Sequence, residues 1–239
     1  MSANTQEIDT SASFYAFHSE RYAEVAHQYL QSNYIEKSHP ALTGDVALQE
    51  RLKELVPPKC SGLDAGCGAG ARDVFKLWSC GYDMQGIDAI PENIQTAIRW
   101  HPELQSRVSV HNMCKPLPFE TAKFDFVTCN AVIQHIDPPT VFKVVLPELV
   151  RVLKRKGVLQ LMFKNGDGIE TLFDKDYDVN RSFQLYKEAD ILSALEKAGM
   201  ELIEGKDEKL GGIMTFVDPK KSSHCVFFLR KVADAVQKQ

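Results

Sequence analysis

Apolar and polar positions change period several times along the chain, and each change marks an element. Between Ser13 and Gln31 the residues Phe14, Phe17, Val25 and Tyr29, with Tyr22 between them, recur at helical spacing. A second helix is expected over Asp45–Val56, where Leu48, Leu52 and Leu55 share a stripe. Pro57-Pro58 ends it, because neither ring supplies an N–H and each restricts the residue before it. Beyond the prolines, short apolar runs alternate with helical stretches. Cys60–Ala65, Met84–Asp88, Val108–His111, Phe124–Asn130 and Val158–Phe163 read as strands, and Arg72–Ser79, Pro91–Trp100, Thr140–Leu153 and Glu188–Ala198 as helices. Pro147 predicts a kink or restart in the third of these helices, and Gly199 stops the fourth. Met200–Gly205 and His224–Arg230 complete the strands.

Strands alternating with helices predict an α/β fold with a mostly parallel sheet and right-handed crossovers. The last two strands lack a helix between them and are expected to pair antiparallel. The segment Lys164–Tyr186 is polar, glycine-bearing and too long for a mere connection, the kind of loop that often carries function. The expected organisation is a helical cap over residues 1–56 and a core over 57–239, with 164–187 as a substrate loop.

Composition narrows the function. A chain of 239 residues with 44% hydrophobic and 25% charged residues suits one folded core rather than a disordered or disulfide-stapled chain. A net charge of −4 gives no general attraction for nucleic acid or anionic lipid. No apolar run approaches the ~18 residues needed to cross a bilayer. The opening MSANTQEIDTSAS has neither the basic nor the apolar region of a secretory signal. Six cysteines without a CxxC pair predict reduced thiols, a cytoplasmic location and no metal centre.

The sharpest chemistry lies in Leu63-Asp64-Ala65-Gly66-Cys67-Gly68-Ala69-Gly70, at a strand end and a helix start. Ligands of open parallel sheets bind at that edge. The glycine spacing alone also fits a dinucleotide loop. Asp64 separates the two, since a carboxylate beside the loop repels a diphosphate and holds an ammonium group. S-adenosylmethionine carries an ammonium group and no phosphate. Asp88 ends the next strand, where a carboxylate accepts hydrogen bonds from both ribose hydroxyls.

With these residues in place the sequence resembles the class I S-adenosylmethionine-dependent methyltransferases, particularly the group with a type-11 methyltransferase domain. LDAGCGAG is similar to their first motif and GIDAIPENI to their second. KPLPFETAKFDFVTCNAVIQHI is similar to their third and fourth segments and ELVRVLKRKGVLQL to their fifth, so the likeness runs from Leu63 to Gly199. It implies a Rossmann-like, seven-stranded sheet with an antiparallel last strand, under an N-terminal helical lid. It also implies that Asp64, Gly66, Cys67, Gly68, Gly70, Asp88 and Ala89 hold the cofactor together with Asn130, Ala131 and Gln134. The usual acidic residue at the adenine is replaced by Met113, followed by Cys114; Met113 is expected to pack on the ring and Cys114 to offer backbone groups.

Methyl transfer is an in-line displacement that rests mainly on positioning and exclusion of water. The leader FYAFHSERYAEVAHQYL is similar to the tyrosine-bearing leader of many relatives. Tyr15 and Tyr22 are expected over the cofactor and acceptor, with the alternative that they are amphipathic core contacts. His135 is a base or an acceptor-orienting group, or a structural residue. Lys164, Asn165, Arg181 and Tyr186 are the expected substrate residues, Arg181 either clamping an anion or tying down the Asp174, Asp176 and Asp178 run. The leading expectation is methylation of an oxygen or nitrogen atom of a small molecule by a monomer or homodimer. RSFQLYKEADILSALEKAG is loosely similar to the tail of wobble-uridine carboxymethyl methyltransferases, which makes tRNA the alternative acceptor. A non-catalytic cofactor-binding module and an NAD-dependent oxidoreductase complete the alternatives.

Overall fold

The computed structural model describes residues 12–30, 33–206 and 208–232. Residues 12–17 are helical and lead through His18 into α1 (Ser19–Tyr29). Helix α2 spans Asp45–Leu55, and then strands and helices alternate: β1 (Ser61–Ala65), α3 (Arg72–Ser79), β2 (Asp83–Asp88), α4 (Pro91–Trp100), β3 (Val108–Val110) and β4 (Phe124–Asn130). Pro91 opens α4, where its missing N–H costs nothing.

The next helix shows how proline is accommodated. The Asp137 carboxylate accepts the Thr140 N–H at 3.0 Å and starts the turn Pro138–Thr140. A wide turn over Val141–Val145 follows before α5 (Leu146–Val152). Pro147 cannot donate and would press on the carbonyl four residues back; the extra residue in the wide turn moves that carbonyl aside. The expected restart is thus a π-type turn. Strand β5 (Leu153–Lys164) begins directly after α5.

The segment read from sequence as a long loop is an antiparallel hairpin, β6 (Ile169–Asp174) with β7 (Val179–Gln184). Helix α6 (Glu188–Lys197), β8 (Met200–Leu202), β9 (Met214–Val217) and β10 (Ser223–Lys231) complete the chain. The main sheet runs β3-β2-β1-β4-β5-β10-β8, with β9 added alongside β10 as an eighth strand that the sequence pattern did not reveal. Strands β1 to β5 pair parallel, and β10 runs antiparallel to β5, β8 and β9.

Alternate residues of the central strands face opposite layers. Val127, Leu159, Leu161, Phe227 and Leu229 pack with Leu149, Ile191 and Leu195 of α5 and α6. Phe126, Val158, Val226 and Phe228 pack with Leu48, Leu52, Val74 and Ile94 of α2, α3 and α4. Helix α2, expected within a separate cap, is therefore part of the core on one sheet face. No helix among the described residues is long and apolar enough to cross a membrane.

Candidate functional site

The parallel strands end at one edge, and the loop after β1 turns there with three glycines in the left-handed region, including Gly66 (φ +87°) and Gly68 (φ +66°). Both positions are also crowded. A Cβ on Gly66 would lie 2.4 Å from the Val132 side chain, and one on Gly68 would lie 3.0 Å from the Tyr22 hydroxyl. Three of the loop amides are already engaged. Gly66 and Cys67 donate to the Ile87 carbonyl at 2.8 and 2.9 Å, and Gly68 donates to Asp88 Oδ2 at 2.9 Å. Phosphate-binding loops hold phosphates on free backbone N–H groups; here those three amides face β2 instead.

Two acids stand at this edge. Asp64 is 4% exposed and accepts the Thr128 hydroxyl at 2.8 Å. Burial, then the charge of Asp73, raise its pKa to about 7, against the pull of the Thr128 bond and Arg72. The nearby Arg72 guanidinium is itself paired with Asp45 and Asp73, both at 2.8 Å. A cation docking at Asp64 would find a carboxylate without a paired counter-charge. Asp88 accepts from Gly68, from the Ile90 N–H at 2.9 Å and from the Asn93 amide at 3.1 Å; burial nonetheless raises its pKa.

Two cavities meet over the loop. The smaller, about 160 Å³, is lined by Asp88, Ala89, Met113 and Cys114 together with Ile90, Asn112, Val132 and Ile136. The larger, about 210 Å³, is lined by Asp64, Cys67, Gly68, Asn130, Gln134, Lys164 and Arg181, among others. Tyr15, Tyr22, Gly66, Ala131 and His135 line both. Met113 is buried in the wall of the smaller cavity. The Cys114 N–H is engaged by the Asn112 Oδ1 at 2.9 Å, so Asn112 stands between that backbone and a ligand.

The N-terminal helical residues and the hairpin meet across the larger cavity. The Arg181 guanidinium donates to the Tyr15 hydroxyl and, at 2.9 Å, to Asp174, whose carboxylate is 1% exposed and also binds Lys220. The same guanidinium lies over the rings of Phe14 (4.4 Å), Phe183 (4.9 Å), Tyr15 (5.0 Å) and Tyr177 (5.5 Å). The Tyr15 hydroxyl stands 3.1 Å from His135 Nε2. Because Arg181 can only donate, the phenol oxygen accepts from it and the phenol proton is available to His135. Burial, then Arg181 and Lys164, lower the His135 pKa to about 3, so the ring is neutral at working pH. Lys164 is buried, pairs with Glu170 at 3.0 Å and lies over Phe183.

Three expected site residues lie away from both cavities. Gly70 packs near Ala23 of α1 and Trp100 of α4. Asn165 donates its N–H to the Ser223 carbonyl. Tyr186 donates its hydroxyl to the Ile136 carbonyl at 2.5 Å and is buried between Phe142 and Phe163, because a hydroxyl at that depth takes the nearest free carbonyl. Conversely Tyr34, Phe216, Asp218, Ser222 and His224 line the larger cavity and were not singled out. For Asp218, Ser222 and His224 the signal was topological, since an antiparallel last strand starts, rather than ends, at the ligand edge.

Residues 63–161 match the family model described as a methyltransferase domain. A ubiquinone biosynthesis O-methyltransferase of Saccharomyces cerevisiae, mitochondrial, is 31% identical over 116 residues, which cover 46% of this chain and 35% of that protein; the match thus spans about a third of that relative's length. One from Xanthomonas oryzae pv. oryzae is 29% identical over 171 residues, covering 69% of this chain and 67% of that one. A 1,6-didemethyltoxoflavin-N1-methyltransferase of Burkholderia thailandensis, solved with its acceptor and S-adenosylhomocysteine, superposes with a TM-score of 0.64 at 18% identity, covering 98% of this chain and 92% of that one. With Asp64 and Asp88 at the ends of β1 and β2 and this strand order, residues 63–161 carry a methyltransferase domain, on a fold similar to that of S-adenosylmethionine-dependent methyltransferases.

Proposed function

We propose that the protein transfers a methyl group from S-adenosylmethionine to an oxygen or nitrogen atom of a small molecule held in the larger cavity. The observation that carries this reading is Asp64, a buried carboxylate with its pKa near 7 and no cation of its own, beside the Gly66, Cys67 and Gly68 amides, whose N–H groups are turned to β2. Relatives named as O-methyltransferases favour oxygen as the accepting atom.

The cofactor brings a methyl group already activated on sulfur. Everything else falls to the chain. Asp64 would hold the amino-acid ammonium, Asp88 the ribose hydroxyls, and Met113, Ile90 and Val132 the adenine faces. Tyr22 lies on the glycine loop and, with Tyr15, excludes water. His135, neutral and joined to Tyr15, orients the acceptor through its ring and takes up no second ring proton above about pH 3. An acidic acceptor therefore delivers its proton to solvent rather than to this ring.

Isothermal titration tests the reading. S-adenosylhomocysteine is expected to bind at micromolar concentration and NADH not at all. Binding of NADH in preference to S-adenosylhomocysteine would overturn it.

A further inference from the structure

The larger cavity extends past the cofactor residues toward β10 and β9, and its far wall is built from stacked rings. Tyr34 and Phe216 stack at 3.6 Å with planes 8° apart, and Phe216 and His224 stack at 5.1 Å, also 8° apart. Two buried polar side chains mark the ends of this chamber. Near the cofactor, Gln134 is 5% exposed and its Oε1 has no hydrogen-bond partner. At the far wall, His224 is 6% exposed; its Nδ1 lies 3.1 Å from the Ser222 carbonyl. A carbonyl only accepts, so Nδ1 carries the proton and Nε2 presents a lone pair. That nitrogen stands 4.0 Å from Asp218 Oδ2, beyond hydrogen-bond reach. Two acceptors 4.0 Å apart suit a donor group lying about 2.9 Å from each, an amino group donating to both and a hydroxyl giving its one proton to either. Gln134 follows β4 and His224 sits on β10, two strand spacings away, roughly 10 Å.

We propose that this chamber binds a flat aromatic acceptor whose end remote from the methylated atom carries a hydroxyl or amino donor, read jointly by His224 Nε2 and Asp218. The inference rests on the methyl-transfer reading and specifies its substrate class. The stacked wall supplies the aromatic face, and Gln134 meets the polar group at the reacting end. A ring bearing only an ether or methyl group at the far end would offer no donor to the buried His224 Nε2 or to Asp218, whose Oδ1 already accepts the Ser222 N–H at 2.9 Å, and this disfavours it.

The test is a titration of protein saturated with S-adenosylhomocysteine, using naphthalene-2,6-diol and its monomethyl ether, 6-methoxy-2-naphthol. The diol is expected to bind about tenfold more tightly, one hydrogen bond's worth. His224→Phe keeps a stacking ring and removes Nε2, and Asp218→Asn removes the charge; each is expected to abolish the preference while S-adenosylhomocysteine affinity stays at the wild-type value. Equal binding of the two probes by the wild type, binding of neither, or a preference that survives in both variants would overturn the assignment. Failure of S-adenosylhomocysteine to bind the wild type would instead strike the methyl-transfer reading.

Discussion

Burial holds the Asp64 carboxyl near pKa 7, against about 4 in an unfolded chain. Between those values the folded protein keeps a proton that the unfolded chain has lost, so this residue makes stability fall as pH rises from about 4 to 7. Asp64→Asn removes that penalty. Its Tm is expected to match wild type near pH 4 and to exceed it by a few degrees at pH 8, as differential scanning calorimetry would show. The same variant is expected to lose at least about tenfold in S-adenosylhomocysteine affinity, since the ammonium loses its partner. Wild-type affinity should weaken below pH 7, by up to about tenfold per pH unit, and calorimetric titration across pH 5–8 checks it. His135 runs the other way: its lowered pKa makes stability rise with pH between about 3 and 6.5. The kcat/KM profile should therefore lack a histidine limb near pH 6.5, and His135→Asn should keep the profile's shape while lowering its height. Asp64 and Asp88 were legible in the sequence because an acid at a strand end next to glycines has one structural address. Tyr186 was not legible as a core residue. What separates it from Tyr15 is the Ile136 carbonyl, a contact fifty residues away in the chain.

At the scale of elements, the hairpin explains why sequence pattern failed where it did. Strand β6 turns Glu170 and Asp174 inward, to Lys164, Lys220 and Arg181, while Ile169 and Phe173 face out with 51% and 53% of their surface exposed. That is an inside-out strand, and alternation read as apolar-in sees a loop. The strands with apolar buried faces, such as Phe124–Asn130, fall where the pattern places them. The hairpin and the N-terminal helical residues are joined at Arg181, so Arg181→Met is expected to raise KM for the acceptor several-fold. It should also speed amide exchange over residues 12–29, which hydrogen-exchange mass spectrometry reads. Gly68→Ala, at φ +66° beneath Tyr22, should cost about 1–2 kcal/mol of backbone strain and push that ring off the loop. A matching fall in S-adenosylhomocysteine affinity is the expected outcome.

For the whole molecule, strand order decides which residues meet. Reversal of β10 brings Ser222 and His224 to the edge where β1, β4 and β5 end, although they follow Asp64 by some 160 positions. The alternating pattern carried the parallel strands and their helices. It did not carry β9, a strand of only four residues that folds back on the start of β10 through the short turn 218–222. One consequence concerns traffic. Tyr15 and Tyr22 line both cavities, so a displacement of the helical residues that carry them would open both together. If turnover waits on that displacement, release of product and not bond-making sets its pace. Rapid-quench experiments should then give an initial burst of methylated product followed by a slower steady phase, and Arg181→Met, which loosens the contact to Tyr15, should shrink the burst.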